Sequence, residues 1–289
     1  MKAQAHNIKI INNQSPGIMS NLNPLAMLKS LWQARWLLIP LARRQLAVRY
    51  KGSHLGFLWT LLNPLALLAI YTFVFSVVLQ ARWPRGSEGA HGEFALALFA
   101  GLIPFNFLSE ALQATPNIIS ANRTYIKKMA FPLEILPLVG LGPVLVQSLC
   151  SVLILLAGIR VILGPIPSTA LVLPLVYFPL MLLSMGLCWF IAAVGVYVRD
   201  TAHILNIGLL MLFFLTPIFY PISAIPQAFR AYAHLNPLCL LVESFRNAAV
   251  WGSLPGPWIF CLICLASLVI CQAGYAFFMA RKNDFADLV

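Results

Sequence analysis

The chain has 289 residues, of which 61% are hydrophobic and only 9% are charged, and its formal net charge is +11. Soluble domains carry about 25% charged residues, so this composition excludes an ordinary soluble protein and indicates a polytopic membrane protein. The positive charge does not indicate a nucleic-acid partner, because the cations flank long apolar stretches, where lipid headgroups and membrane topology account for them.

The amino-terminal part of the chain is polar and basic. The first 50 residues lack the charged tip and short apolar core of a cleavable signal peptide, so the amino terminus should stay on the side where it was made. We expect residues 1–23 to form a cytoplasmic tail. The next unit, residues 24–54, has apolar residues at helical spacing. These are Leu28, Trp32, Trp36 and Ile39.

Residues 24–54 are interpreted as an amphipathic helix that lies in the membrane plane. Its arginines would cost several kcal/mol each in hydrocarbon, which excludes a span. Pro40 is expected to interrupt the helix, and Gly52 and Gly56 are expected to allow the turn into the bilayer. Such a helix can dock a cytoplasmic partner or lipid headgroups, or it can serve only as a basic flank that sets topology.

Six stretches are long and apolar enough to cross a bilayer core, which needs about 20 helical residues. They are residues 55–79, 94–112, 133–163, 171–198, 204–220 and 258–280. The predicted transmembrane domain therefore covers residues 55–289. Most of the 19 Lys and Arg residues lie on one side of the membrane, either before the first span or in later segments on that same side. By the positive-inside rule, both termini are expected in the cytoplasm.

The first span carries two groups of aromatic residues. On a helical wheel, Phe57, Tyr71 and Phe75 share one face, and Trp59 lies on another. Aromatic rings can stack on sugars and form a smooth wall for a moving glycan, so these four residues are candidates for a channel wall. The alternative is ordinary packing between helices.

The segment between the fifth and sixth spans, residues 216–257, is apolar and aromatic but contains six prolines. No straight helix fits such a sequence. We expect short helices that dip into the membrane edge and return, because non-helical backbone at that depth must be sheltered by protein or line a wet cavity. An interfacial lid without a gating role is the alternative.

No span has an ionisable residue near its middle, where ion-coupled transporters usually keep one. The chain also lacks the Gly-x-x-x-x-Gly-Lys-Ser/Thr loop that binds ATP phosphates. Uphill transport would therefore need a separate ATPase. No cofactor is expected in this chain, since ATP and Mg²⁺ would be bound by that partner.

Catalytic and metal sites are not indicated. Cys261 and Cys264 have half of a zinc spacing but no second pair, and the histidines are scattered. Glu110 and Glu134 are interpreted as charges at span ends rather than an acid and base pair. The chain is therefore predicted not to be an enzyme. A lipid-modifying enzyme would need an acidic or histidine cluster at one membrane face, and a channel or scaffold would need no ATPase.

Five segments, in the same order and at similar spacing, resemble the permease subunit of ABC-2 type polysaccharide exporters. They are RYKGSHLGFLWTLLNPL (49–65), GLIPFNF (101–107), ANRTYIKKMAFPLEILPL (121–138), VYVRDTAHILNIGLLMLFFLTPIFYPIS (196–223) and NPLCLLVESFRNA (236–248). The first segment and the VRD sequence after the fourth span are most similar to the O-antigen and teichoic acid branch. The resemblance covers residues 24–282.

This resemblance implies an all-α polytopic protein of the bacterial inner membrane, with six transmembrane helices, an amphipathic in-plane helix and short outer re-entrant helices. It implies a homodimer with two copies of an ABC ATPase subunit, exporting an undecaprenyl-diphosphate-linked polysaccharide. Export of capsule, teichoic acid, a small lipid or a drug is the alternative.

The resemblance also implies roles for particular residues. A segment at 117–131 would couple to the ATPase through Asn122, Arg123, Tyr125, Lys127 and Lys128. The basic helix would contact membrane lipid or the lipid diphosphate through Arg43, Arg44, Arg49, Tyr50 and Lys51. An outer gate at 221–257 would include Pro221, Pro226, Asn236 and Pro237. Two residues just before this range, Pro217 and Tyr220, would also belong to the gate.

Overall fold

The computed structural model describes residues 24–80, 83, 92–123 and 131–288, and the side chains of residues 231–234 and 286–287 are not described. The described residues form helices joined by turns and contain no β-strand. This agrees with the predicted all-α class.

The helices are labelled here in chain order. They are α1 (Pro24–Arg49), α2 (Trp59–Tyr71), α3 (Glu93–Gln113), α4 (Ile118–Ala121), α5 (Leu136–Val139), α6 (Leu141–Ile162), α7 (Leu173–Tyr197), α8 (Thr201–Leu215), α9 (Gln227–Leu235), α10 (Pro237–Ala249), α11 (Pro257–Arg281) and α12 (Phe285–Leu288). A 3₁₀ turn, Gly56–Leu58, precedes α2, and a π-helical segment, Thr72–Val78, follows it.

Five helical segments in the described residues are long and apolar enough to cross a membrane. They are Gly56–Val78, Glu93–Gln113, Leu133–Ile162, Ser168–Tyr197 and Pro257–Asp284. Each corresponds to a predicted span, and the count of six spans stays a prediction.

The predicted span at 204–220 corresponds to α8, which has only 15 residues. At 1.5 Å per residue α8 is about 22 Å long, shorter than a hydrocarbon core of about 30 Å. The helix ends because Pro217 disfavours helical geometry at the residue before it, and Thr216 is accordingly extended, with φ −87° and ψ 132°.

The centre of the bundle is α3, which packs against α2, α6, α7, α8 and α10. Almost all its residues are buried, whereas α2 is mostly exposed. Small residues allow α7 and α11 to pack at close range: a Cβ atom added to Gly186 would lie 2.5 Å from the Cα of Cys271. Such contacts are typical of helix pairs in membranes.

The basic helix α1 runs as one 26-residue helix, so the expected break at Pro40 is wrong. A proline inside a helix removes one backbone hydrogen bond. Here α1 is held along its length by packing on α5 and α6. Ala42 fits against Gly142, where an added Cβ would lie 2.7 Å from the Ala42 Cβ. Trp32 and Trp36 remain exposed.

Candidate functional site

Glu134 joins α1 and α11 in a cluster that we call the inner junction, formed by Ser30, Glu134, Trp189 and Lys282. The Ser30 hydroxyl donates to Oε1 of Glu134 at 2.8 Å, and the Lys282 ammonium binds Oε2 at 2.8 Å. The indole of Trp189, on α7, donates to the Glu134 backbone carbonyl at 2.8 Å. The Glu134 side chain is only 7% exposed, so its charge depends on these partners.

A second network, the elbow, joins the end of α1 to α2, α3 and α6 through Arg49, Tyr50, Thr60, Glu110 and Gln147. Nη2 of Arg49 pairs with Oε2 of Glu110 at 2.9 Å. The Tyr50 hydroxyl accepts from Thr60 Oγ1 at 2.8 Å and donates to Gln147 Oε1 at 3.4 Å. The Gln147 amide donates to the Thr60 carbonyl at 3.2 Å.

The residues predicted to contact lipid fall into two groups. Arg43, Arg44 and Lys51 are exposed, which suits a contact with headgroups. Arg49 and Tyr50 belong to the elbow and bind other helices, although the Arg49 side chain is itself 38% exposed. Glu110 and Glu134 lie in separate ion pairs, Glu110 with Arg49 and Glu134 with Lys282.

The predicted channel-wall aromatics fall into two places. Tyr71 and Phe75 are half-buried, and Phe75 stacks on Phe94 at 5.2 Å between ring centroids. This contact is one of packing between helical segments, and the channel-wall role of Tyr71 and Phe75 stays a prediction. Phe57 and Trp59 are exposed, and the Trp59 indole donates to Ser53 Oγ at 3.0 Å.

A third cluster, the outer cluster, is built around Arg246 of α10. This side chain is fully buried. Its Nε donates to the Ala97 carbonyl of α3 at 2.9 Å, and Nη2 donates to the carbonyls of Pro217 and Ile218 at 3.1 and 3.0 Å. Nη1 pairs with Oε2 of Glu243 at 2.9 Å. Arg246 therefore ties α10 to α3 and to the residues that follow α8.

The surroundings of Arg246 are adapted to a buried cation. Its guanidinium carbon lies 4.5 Å from the ring centroid of Trp83, a cation–π distance. Any side chain at Gly101 would collide with the guanidinium. Burial lowers the pKa of Arg246, and the Glu243 carboxylate opposes this shift because it favours the charged guanidinium.

Most of the predicted outer-gate residues lie in or next to the outer cluster. Asn236 accepts from the backbone N–H of Leu238 at 3.0 Å and so caps α10, whose first residue is Pro237. Its amide donates to Thr216 Oγ1 at 3.4 Å. The Tyr220 hydroxyl donates to the Phe214 carbonyl at 2.8 Å. Pro221 and Pro226 flank a short 3₁₀ turn before α9.

Of the predicted coupling residues, Asn122 and Arg123 follow α4. The Asn122 amide donates to the Ile118 carbonyl at 2.7 Å, and Arg123 is exposed. Tyr125, Lys127 and Lys128 lie outside the described residues.

Sequence reasoning did not identify the roles of Arg246 and Glu134. A glutamate three residues before Arg246 in an apolar helix is a signal of an internal ion pair. Glu134 had a similar signal, because it is a single carboxylate within the apolar run LEILPL. Neither signal could identify the distant partners.

The chain is similar in sequence to known membrane transport proteins. The sequence profile of ABC-2 type transporters matches residues 37–250. The O-antigen export system permease protein RfbA of Myxococcus xanthus is 31% identical over 271 residues, covering 92% of this chain and 100% of that protein. RfbA of Klebsiella pneumoniae is 28% identical over 257 residues, covering 88% and 95%. The polysialic acid transport protein KpsM of Escherichia coli is 26% identical over 249 residues, covering 83% and 91%.

Proposed function

The chain belongs to the ABC-2 type transporter family, and we propose that it is the permease subunit of an exporter that moves undecaprenyl-diphosphate-linked polysaccharide across the bacterial inner membrane. The observation that carries this proposal is the similarity, over 92% of the chain, to a relative named as an O-antigen export permease. An O-antigen-like polysaccharide is the cargo that we propose.

A separate ABC ATPase is proposed to drive this export. The family assignment supports such a partner, and the sequence contains neither a phosphate-binding loop nor an ionisable residue in the middle of a span. In this proposal the present chain provides the membrane path, and ATP and Mg²⁺ bind to the partner.

A homodimer is proposed because two helices have long uncovered apolar faces. Most of α2 is exposed, and α8 exposes an apolar face formed by Ile204, Ile207, Met211 and Phe214. Lipid could cover these faces, but a second copy against them would enclose a path between two protomers. The exposed rings of Phe57 and Trp59 would then lie close to that path.

The elbow and the inner junction support a route by which movement could pass from the ATPase into the bundle. Both lie at the end of the bundle that is predicted to face the cytoplasm. The elbow joins α1 to α2, α3 and α6, and the inner junction joins α1 to α7 and α11. The proposed coupling segment, 117–131, ends three residues before Glu134.

Export of capsular polysaccharide is the second candidate, and the similarity to KpsM of Escherichia coli favours it. Teichoic acid, a small lipid or a drug remains an alternative cargo for a permease of this family. These cargoes differ in where polymer accumulates when export is blocked.

Deletion of the gene in its host tests the proposed function. Surface polysaccharide and lipid-linked polymer retained in the cytoplasm would be compared on gels, with and without a plasmid copy of the gene. We expect loss of the O-antigen-like surface polymer together with retention of long lipid-linked polymer. Normal surface polymer with none retained would contradict polysaccharide export and favour a small-molecule cargo.

A further inference from the structure

A cavity of about 390 Å³ lies between α2, α3 and α6. This volume is within the range of about 300–1,000 Å³ that is typical of small-molecule sites. Polar side chains from all three helices line it, and we call it the polar cavity. They are Asn63, Asn106, Gln147, Ser148 and Ser151.

The amides of the polar cavity lie at one depth. Asn63 is seven residues from Gly56, where the first span begins, and Asn106 is seven residues from the end of α3 at Gln113. Gln147 is six residues from the start of α6. At 1.5 Å per residue, Asn63 and Asn106 lie about 10 Å from the helix ends that are predicted to face the cytoplasm. Gln147 is placed near them by its hydrogen bond of 3.2 Å to the Thr60 carbonyl of α2. Polar groups at this depth must have protein partners or line a wet cavity.

Two of these amides have unused hydrogen-bonding capacity. Gln147 is bound to Tyr50 and Thr60, and Ser148 shares a hydrogen bond of 2.5 Å with Tyr177. Within the described part of the chain, no hydrogen bond is made by the side-chain amides of Asn63 and Asn106, although both line the cavity. An amide offers two donors and a carbonyl acceptor, which matches hydroxyl groups that also donate and accept.

The charges around the polar cavity favour a neutral ligand. Arg49 and Glu110 are the ionic residues that line it, and they pair with each other at 2.9 Å. A diphosphate would need a cation that is free to bind it. The remaining lining is mostly apolar and includes the exposed side chains of Leu67 and Ile70 on α2. Unpaired amides beside apolar side chains are suited to a sugar, which has hydroxyl edges and apolar faces.

We propose that the polar cavity binds a neutral, hydroxyl-rich sugar residue of the exported chain, with Asn63 and Asn106 as its hydrogen-bond partners. This inference rests on the proposed function and adds a site within the protomer. It assigns recognition of sugar to α2 and α3 near the cytoplasmic end of the path, separate from the exposed Arg43 and Arg44 of α1.

Binding to the purified full-length protein in lipid nanodiscs tests this site. The first probe is polymer from the deletion strain, freed from its lipid diphosphate by mild acid, and the second is undecaprenyl diphosphate alone. We expect Asn63→Leu/Asn106→Leu to weaken binding of the released polymer about tenfold, through the loss of hydrogen bonds. Binding of undecaprenyl diphosphate should not change.

Two further variants make the test specific. Asn283→Leu removes an exposed amide at the end of α11 and should leave binding of both probes unchanged. Asn63→Ala changes an exposed residue that packs little, so it should weaken polymer binding several-fold even if the double variant fails to fold.

Three outcomes would overturn the proposal. One is no binding of released polymer by the natural protein, and another is polymer binding by both Asn63 variants as strong as that of the natural protein. The third is selective loss of undecaprenyl diphosphate binding, which would make the cavity a headgroup site. None of these results would affect the deletion phenotype, so the site can fail while the proposed export function stands.

Discussion

Arg246 has a separate partner for each part of its guanidinium group. Its four hydrogen bonds reach α3, the residues after α8 and Glu243 of its own helix. A planar fork with five N–H donors can satisfy several carbonyls at once, which the single ammonium of lysine cannot do in the same geometry. The identity of this residue as arginine is therefore part of how the outer cluster is held together.

Replacing Arg246 should disrupt the outer cluster. Arg246→Met should lower the free energy of unfolding by about 3–5 kcal/mol, because it leaves the Ala97, Pro217 and Ile218 carbonyls and the Glu243 carboxylate without their donor. Arg246→Lys should recover only part of this loss. The measurement is the midpoint of thermal unfolding in detergent. Arg199→Met, at an exposed arginine, is the control, and an equal effect of both Met variants would contradict the assignment.

The pair of Glu134 and Lys282 should contribute measurably to stability. A double-mutant cycle with Glu134→Gln and Lys282→Met should give a coupling energy of about 1–3 kcal/mol, because the carboxylate is nearly buried. The matched control is Arg281 with Asp284, whose side chains are 51% and 50% exposed at 3.8 Å. Such exposed pairs contribute about 0–1 kcal/mol. A larger coupling in the control pair would count against the inner junction.

The helices α7 and α11 pack closely against each other through Gly186 and Gly274. A Cβ atom at either glycine would meet the backbone of the other helix rather than a movable side chain. Gly208 on α8 is different, since nothing lies within 4 Å of an added Cβ. Alanine variants at these positions can therefore distinguish the effect of close packing, at Gly186 and Gly274, from the effect of helix propensity, at Gly208.

Gly186→Ala should destabilise the protein by about 1–3 kcal/mol through overpacking, even though alanine favours helix. Gly208→Ala should be neutral or slightly stabilising, by up to about 1 kcal/mol. Thermal unfolding of the two variants, followed by fluorescence-detected size-exclusion chromatography, makes the comparison. A stable Gly186→Ala protein would mean that α7 and α11 lie further apart than described.

The sequence predicts the long helices well and the irregular segments poorly. Hydropathy continues through IFY after Pro217, so the apolar stretch of α8 looks longer than its helix. The helical wheel of the first span is wrong about Phe57, because Gly56–Leu58 is a 3₁₀ turn. Tyr71 and Phe75 do lie together, with ring centroids 6.3 Å apart, although a π-helical segment begins at Thr72.

Long-range pairing explains most of the site residues that were missed. Ser30 and Glu134 are 104 positions apart, and Arg246 and Ala97 are 149 apart. Local periodicity carries no information about such partners. The prediction that α1 is basic and amphipathic also did not single out Arg49 and Tyr50 as the residues that bind other helices.

For the whole molecule, we predict that the segment after α4 transmits the state of the ATPase. Arg123 is exposed at its start, and the sequence places Lys128 in the same basic segment. Arg123→Glu/Lys128→Glu should reduce polymer-stimulated ATP hydrolysis by the complex severalfold, because a favourable charge contact becomes repulsive. Arg199→Glu, a charge reversal after α7, is the comparison. Unchanged hydrolysis in the first variant would remove the proposed role.

The most direct test of the central claim is ATP-driven movement of polymer in proteoliposomes. The complex of this permease with its copurified ATPase would be reconstituted with lipid-linked polymer, and polymer protected from an added glycosidase would be measured with and without ATP. We predict that protected polymer accumulates only when ATP and Mg²⁺ are present. Protection that is independent of ATP, or no protection despite active hydrolysis, would contradict the account of this chain as the permease of a polysaccharide exporter.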